Sequence, residues 1–227
     1  MKTPFHPNAL LCSALLFNGL LAAVGQTLQP QVLYNFQRGP ANPRASLVQG
    51  PDGNFYGTTQ DGGSGGSGTV FKVTNNGVLT TLVSFTGSNG ANPSAALALG
   101  RDGALYGTTE TTVFKVTTDG VLTTLVWFNG TNGAIALGGL VLGSDGCFYG
   151  TTSTGGIGYG AYGGGNGTVF KVTTNGVLTT LASFNGTNGM SPLAGLTLGR
   201  DGNFYGTTFY GGTGYVYRFV DVHNGYQ

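Results

Sequence analysis

Short runs of β-prone residues, each interrupted by a glycine-containing turn, set the pattern of this chain. One stretch holds Leu97-Ala98-Leu99, Ala104 to Thr109, Thr112 to Thr117 and Val121 to Phe128. Asp102-Gly103 and Asp119-Gly120 fall between these runs. Asp-Gly between β-prone runs is the strongest short-range hairpin signal, and it predicts type I′ turns with positive φ at both central residues. Neighbouring stretches repeat the arrangement with Asp52-Gly53 and Asn76-Gly77, and with Asp145-Gly146 and Asn175-Gly176. No run beyond the N-terminal segment is long, Ala-rich or spaced at 3.6 residues, so no helix is predicted there.

The runs belong to a repeat. Asp-Gly-x-Φ-Tyr-Gly-Thr-Thr, with Φ being Phe or Leu, begins at Asp52, Asp102, Asp145 and Asp201. A phrase recurring at spacings of 50, 43 and 56 residues marks a repeat architecture. Four antiparallel strands per unit, in tandem, is the layout of β-propeller blades. The first run, Val32 to Phe36, resembles the fourth strand of a unit, as in Leu82 to Phe85. The last unit stops after its third run, Val216 to Phe219. Pairing these two pieces completes a fourth blade. The expected fold is therefore all-β, a propeller of four four-stranded blades closed by its first and last strands. The alternative is an open fragment of a larger propeller. Closure matters because an open ring exposes strand edges and apolar faces.

Composition sharpens this picture. Lys2, the apolar stretch Ala9 to Val24 and the small residues of Ala23-Val24-Gly25 read as an export signal. The expected division is 1–25 signal peptide, 26–219 propeller and 220–227 tail. The stretch is short and broken by Ser13 and Asn18, which argues against a retained membrane span. Loss of the signal leaves Cys147 and His223 as single residues of their types, so no internal disulfide can form. It also removes Lys2 from nine cations, leaving eight against eight acids. A neutral chain carries no electrostatic footprint for nucleic acid or anionic membrane. The 44 glycines recur at fixed places in the repeat, which reads as turns rather than low complexity.

The full unit reads Asp52 to Thr59, a glycine-rich gap, Gly68 to Thr74 and Gly77 to Phe85, with copies over residues 31 to 219. This resembles the GloVer repeat family (Gloeobacter/Verrucomicrobia type) of choice-of-anchor tandem repeat proteins. The resemblance implies an exported bacterial protein, secreted or at the cell surface, with a propeller-like fold. It implies no activity. Family members often end in an anchoring segment, whereas residues 220–227 show no apolar helix and no basic tail.

Two sets of residues stand out. Each unit places an acid at its first turn (Asp52, Asp102, Asp145, Asp201) and a cation on its third strand (Lys72, Lys115, Lys171, Arg218). These read as structural pairs within blades, because an uncompensated buried charge costs several kcal/mol. The second set lies on the face that carries the variable loops. There Tyr159, Tyr162, Tyr210, Arg38 and Arg44 are the candidate ligand-binding residues. Aromatic rings set among glycines can stack on sugars at low entropic cost.

No catalytic constellation and no metal-ligand spacing is present, and no cofactor is implied. The expectation is a secreted or cell-surface, non-catalytic binding module whose partner is a glycan or a surface protein. A structural surface or matrix repeat without a small-molecule ligand is the alternative.

Overall fold

A computed structural model describes residues 30–36, 39–160, 163–211 and 216–219, with residues 159, 163 and 216–219 described by backbone alone. The expected signal segment 1–25 and tail 220–227 lie outside the described residues. Residues 33–227 form one compact unit, and residues 1–32 are a separate one.

The fold is all-β, with no helix among the described residues. The first sheet runs β1 (Val48–Gln49), β2 (Phe55–Thr59), β3 (Thr69–Val73), β4 (Leu79–Ser84). The second runs β5 (Ala98–Leu99), β6 (Leu105–Thr108), β7 (Thr112–Val116), β8 (Leu122–Trp127). The third holds β9 (Val141–Leu142), β10 (Phe148–Thr152), β13 (Thr168–Val172) and β14 (Leu178–Ser183). A small hairpin, β11 (Tyr159–Gly160) with β12 (Gly163–Gly164), rises from its central loop. The fourth sheet has three strands, β15 (Thr197–Leu198), β16 (Phe204–Thr207) and β17 (Val216–Phe219). All neighbours are antiparallel and consecutive in sequence within each unit, as meandering blades require.

Closure of a ring is not shown. Residues 32–36 have no strand assignment, and among the described residues β17 pairs with β16. Residues 33–36 nevertheless dock on the first blade as fourth strands dock elsewhere. Phe36 meets Phe71 at 5.3 Å between ring centroids, as Phe85 meets Phe114 at 5.2 Å and Phe128 meets Phe170 at 5.4 Å.

The Asp-Gly turns differ from the expected type I′. Gly53, Gly103, Gly146 and Gly202 have positive φ, but none of the preceding aspartates does. Gly53 N donates to Gly50 O at 3.0 Å, and Gly50 N donates to Asn54 O at 2.9 Å. This is a three-residue loop, a type I turn ending in a left-handed glycine. The cause is the residue count between strands, because β1 stops at Gln49 and leaves Pro51-Asp52-Gly53 to turn. The aspartate side chain then supports the turn, with Asp52 Oδ1 accepting from Asn54 N at 3.2 Å.

A β-bulge recurs in the outer strands. The register slips opposite Val70/Phe71, Val113/Phe114 and Val169/Phe170, leaving Leu82, Leu125 and Leu181 without an opposite residue. A bulge bends a strand and re-aims its backbone. Here the carbonyls of Leu82 and Leu125 face Gly120 and Gly176 of the next blade, so close that a Cβ there would lie 3.1 and 2.7 Å away. The carbonyl of Leu33 faces Gly77 in the same way.

The core sits in the seams between consecutive sheets. Tyr56, Val70, Val83 and Phe85 of the first blade pack with Leu97, Leu105, Phe114 and Val116 of the second. The next seam stacks Tyr106 on Phe148 at 4.1 Å, and the one after stacks Tyr149 on Phe204 at 4.0 Å. Mid-strand glycines let these layers close. A Cβ on Gly57, Gly107 or Gly150 would lie within 2.7 Å of the Phe71, Phe114 or Phe170 ring.

Candidate functional site

The repeated charges occupy the tight-turn ends of the blades. In each blade the tyrosine of the repeat, buried in the first three and part-exposed in the last, donates its hydroxyl to the turn aspartate: Tyr56 to Asp52 at 2.7 Å, Tyr106 to Asp102 at 2.8 Å, Tyr149 to Asp145 at 3.1 Å and Tyr205 to Asp201 at 2.7 Å. The cations vary. Lys115 bridges to Asp102 at 2.8 Å and Lys171 to Asp145 at 2.6 Å. Asp52 accepts from Asn54 Nδ2 and Asp201 from Asn203 Nδ2, each at 2.7 Å. Where Ala104 or Cys147 follows Asp-Gly, the lysine takes the oxygen that an asparagine holds in the outer blades. The Arg218 side chain lies outside the described residues.

These contacts keep the carboxyls ionised. Burial raises the Asp145 pKa, but hydrogen bonds from Lys171, the Cys147 backbone N–H and Tyr149 outweigh it and bring the group down to about 2. Hydrogen bonds from Tyr205 and Asn203 hold Asp201 at about 2. The same bonds raise Lys115 and Lys171. Burial and the Asp52 carboxylate push the Tyr56 phenol up. An open depression of about 290 Å³ lies beside one pair, lined by Asp102, Gly103, Ala104, Lys115, Thr117 and Thr118. Its two charged groups are bonded to each other, so it presents no unsatisfied charge to a ligand.

The opposite ends carry the variable loops, and their backbone is regular. The loop entering each blade bonds to the loop between that blade's second and third strands. Ala41 pairs with Asp61, Ala134 with Thr154 and Met190 with Tyr210 in two-way bonds, and Glu110 N donates to Ala91 O at 3.0 Å. Asn42, Asn92, Ile135 and Ser191 occupy one repeat position here, all with φ of 55 to 56°. The glycine-rich loop 60–68 is packed into this frame. A Cβ at Gly62 would lie 2.0 Å from Gly39 O, and one at Gly65 would lie 2.2 Å from Phe85 O.

Side chains vary on that constant backbone. The position after the second threonine is Gln60, Glu110, Ser153 or Phe209. In the last blade Phe209 and Tyr210 are 63% and 58% exposed and meet edge to face at 4.5 Å. Their backbone is pinned by bonds from Phe209 N to Ser191 O and from Tyr210 N to Met190 O, each at 3.1 Å. Arg44 is exposed on the loop entering the first blade. Tyr159 lies on β11, opposite Gly164. Arg38 and Tyr162 lie outside the described residues. Tyr210 thus has an aromatic partner, Phe209, which is not among the candidate binding residues expected from the sequence. The missed signal was adjacency, since two consecutive aromatics just beyond a strand end cannot both point into a sheet.

Among the described residues no group of three or more His, Cys, Asp or Glu side chains is placed to hold a metal. No helix among them is long and apolar enough to cross a membrane.

Comparison places this architecture among β-propeller-like proteins. Virginiamycin B lyase from Staphylococcus aureus superposes with a TM-score of 0.57 at 17% identity, over 85% of this chain and 59% of that one. A candidate gluconolactonase gives 0.52 at 14% identity, over 84% and 68%. A candidate glucose dehydrogenase from Thermus thermophilus gives 0.52 at 19% identity, over 81% and 63%. The chain spans little more than half the length of the lyase structures it matches. No curated protein matches it in sequence. The family model of the Gloeobacter/Verrucomicrobia repeat matches residues 21–220.

Proposed function

The chain belongs to the Gloeobacter/Verrucomicrobia repeat family, and from that premise we propose that it is an exported, non-catalytic recognition module. Its variable-loop face binds a glycan or a cell-surface partner. The observation that carries this reading is the exposed Phe209–Tyr210 pair on a backbone held at both residues. Aromatic rings on a held backbone offer apolar faces to a sugar at low conformational cost. Signal cleavage after residue 25 belongs to the same proposal.

The turn aspartates Asp145 and Asp201 are unsuited to act as general acids. A general acid needs a pKa near the working pH, whereas the turn aspartates Asp145 and Asp201 are held at about 2. The names lyase and lactonase describe other proteins, at 14 to 17% identity.

Screening the full chain on a glycan array, followed by calorimetric titration of the best hit, tests the reading. Replacing Phe209 and Tyr210 together by Ala should weaken binding at least roughly tenfold, as removal of aromatic anchors does, while the melting temperature holds. Unchanged affinity sinks the proposed face. Silence across the array from a folded protein favours a structural surface or matrix repeat.

A further inference from the structure

The loops that leave the second and third blades carry one triplet in common, Asn129-Gly130-Thr131 and Asn185-Gly186-Thr187. Asn-x-Ser/Thr is the acceptor triplet for an N-linked glycan when it lies on an exposed loop. A third copy is Asn166-Gly167-Thr168. The fold separates the three. Asn129, Thr131, Asn185 and Thr187 are all exposed. Thr131 Oγ1 donates to Asn129 Oδ1 at 2.8 Å, and Thr187 Oγ1 donates to Asn185 Oδ1 at the same distance. The backbone N–H of Asn132 adds a bond to Asn129 Oδ1 at 3.0 Å, and that of Asn188 adds one to Asn185 Oδ1 at 3.1 Å. Among the described residues both carboxamide nitrogens, the atoms that a glycan joins, are left without a bond. Thr168, by contrast, is fully buried in β13, and its hydroxyl is shared with Thr152 Oγ1 at 2.8 Å.

The triplet at Asn129 has a second component. Trp127, the one tryptophan of the chain, lies two residues before it and is 48% exposed. Asn132 Nδ2 donates to Trp127 O at 3.2 Å, so the acceptor loop folds back on this residue. Loop length explains why Trp127 is uncovered. The equivalent residues Ser84 and Ser183 lie under the loops of their own blades. A Cβ at Gly63 would be 2.9 Å from Ser84 Oγ, and one at Gly156 would be 3.0 Å from Ser183 Oγ. In the second blade only Thr109-Glu110-Thr111 joins β6 to β7, so no such loop lies over Trp127. An exposed ring beside the acceptor offers its apolar face to the first sugar.

We propose that Asn129 and Asn185 are acceptors for an N-linked oligosaccharide, and that Trp127 stacks on the first sugar at Asn129. This rests on the export proposed above, because such acceptors belong to surface loops of secreted chains. The donor is a polyprenyl-diphosphate oligosaccharide, delivered by an oligosaccharyltransferase. Asn Nδ2 attacks C1 of the first sugar. The C1–N bond forms as the bond from C1 to the phosphate oxygen breaks. The polyprenyl diphosphate leaves with that electron pair, and the amide proton passes to a base of the transferase. An amide nitrogen attacks poorly until its N–H is made more acidic. Hydrogen bonds to the oxygen that gains charge favour that ionised form. At both sites the Thr hydroxyl and a backbone N–H supply them. The hydroxyl of Thr168 is held by Thr152 instead.

Folded full chain, incubated with an oligosaccharyltransferase and a polyprenyl-diphosphate oligosaccharide, should gain two oligosaccharides by intact mass. Asn129→Gln should remove one, and so should Thr131→Ala, which keeps the acceptor asparagine. Asn185→Gln should remove the other, and Asn166→Gln should remove neither. Because the chain has a single tryptophan, fluorescence emission reports on Trp127 alone. Occupancy of Asn129 should shift that emission, and occupancy of Asn185 alone should leave it unchanged. No transfer to the folded chain, or transfer to Asn166, overturns the acceptor sites. Unchanged emission with Asn129 fully occupied overturns the stacking. N-terminal sequencing of the chain made in its own cells decides export separately. A chain that keeps residues 1–25 inside the cell sinks export and this inference with it, whereas failed transfer leaves export standing.

Discussion

Asn54 stands where Ala104 and Cys147 stand in the middle blades, and across those three blades that one position decides which donor the turn aspartate accepts. The repeated acid and cation were legible in the sequence, but their uneven pairing depends on a third residue competing for one oxygen. In the third blade the pair is largely enclosed, with side-chain exposures of 17% and 25%. Because Asp145 is depressed to about 2 in the fold, its contribution to stability is present above its unfolded value near 4 and fades as pH falls toward 2. Lys171→Met should therefore cost on the order of 1 kcal/mol at pH 7, and the difference from wild type should shrink between pH 4 and 2. Melts across that range check it; a pH-independent difference argues for packing instead. Ile135 poses a different case. It is β-branched at φ 56°, where the first two units place Asn. Left-handed backbone costs roughly 1–2 kcal/mol outside Gly and Asn. Ile135→Asn should raise the melting temperature by about 2–4 °C, measured by scanning calorimetry, and a fall would refute the strain.

Among elements, strand order and hairpin positions followed from the runs and their glycines. The outer-strand bulge did not. Nothing in Leu-Thr-Thr-Leu says that Leu82 or Leu125 will be skipped, because the bulge serves the neighbouring blade's Gly120 or Gly176. The mid-strand glycine is a related device. At Gly107 a methyl group would sit 2.5 Å from Phe114 Cζ, and Phe114 is fully buried. Gly107→Ala should destabilise by about 1–3 kcal/mol, the usual effect of overfilling a packed core. Urea denaturation measures this, and a neutral result would mean that the ring can move aside. The glycine-rich loop 60–68 teaches the opposite lesson to its composition, for its glycines allow close backbone approach to Gly39 and Phe85.

The whole molecule separates what is constant from what differs. Tight turns, the tyrosines bonded to them and the mid-strand glycines repeat with little change, so they build the framework. Recognition is left to loops whose backbone repeats while residues such as Gln60, Glu110, Ser153 and Phe209 do not.

The order of residues by itself determined blade count, strand succession and the place of the turns, because these depend on local periodicity and on glycine's freedom at positive φ. It also marked Val32 to Phe36 as a fourth strand in search of a sheet. Tertiary structure alone decided where residues 33–36 dock, which carboxylates hold a lysine and which leucine bulges. Each of those outcomes depends on groups far apart in sequence competing for the same space or the same hydrogen bond, and a local pattern carries no record of that competition.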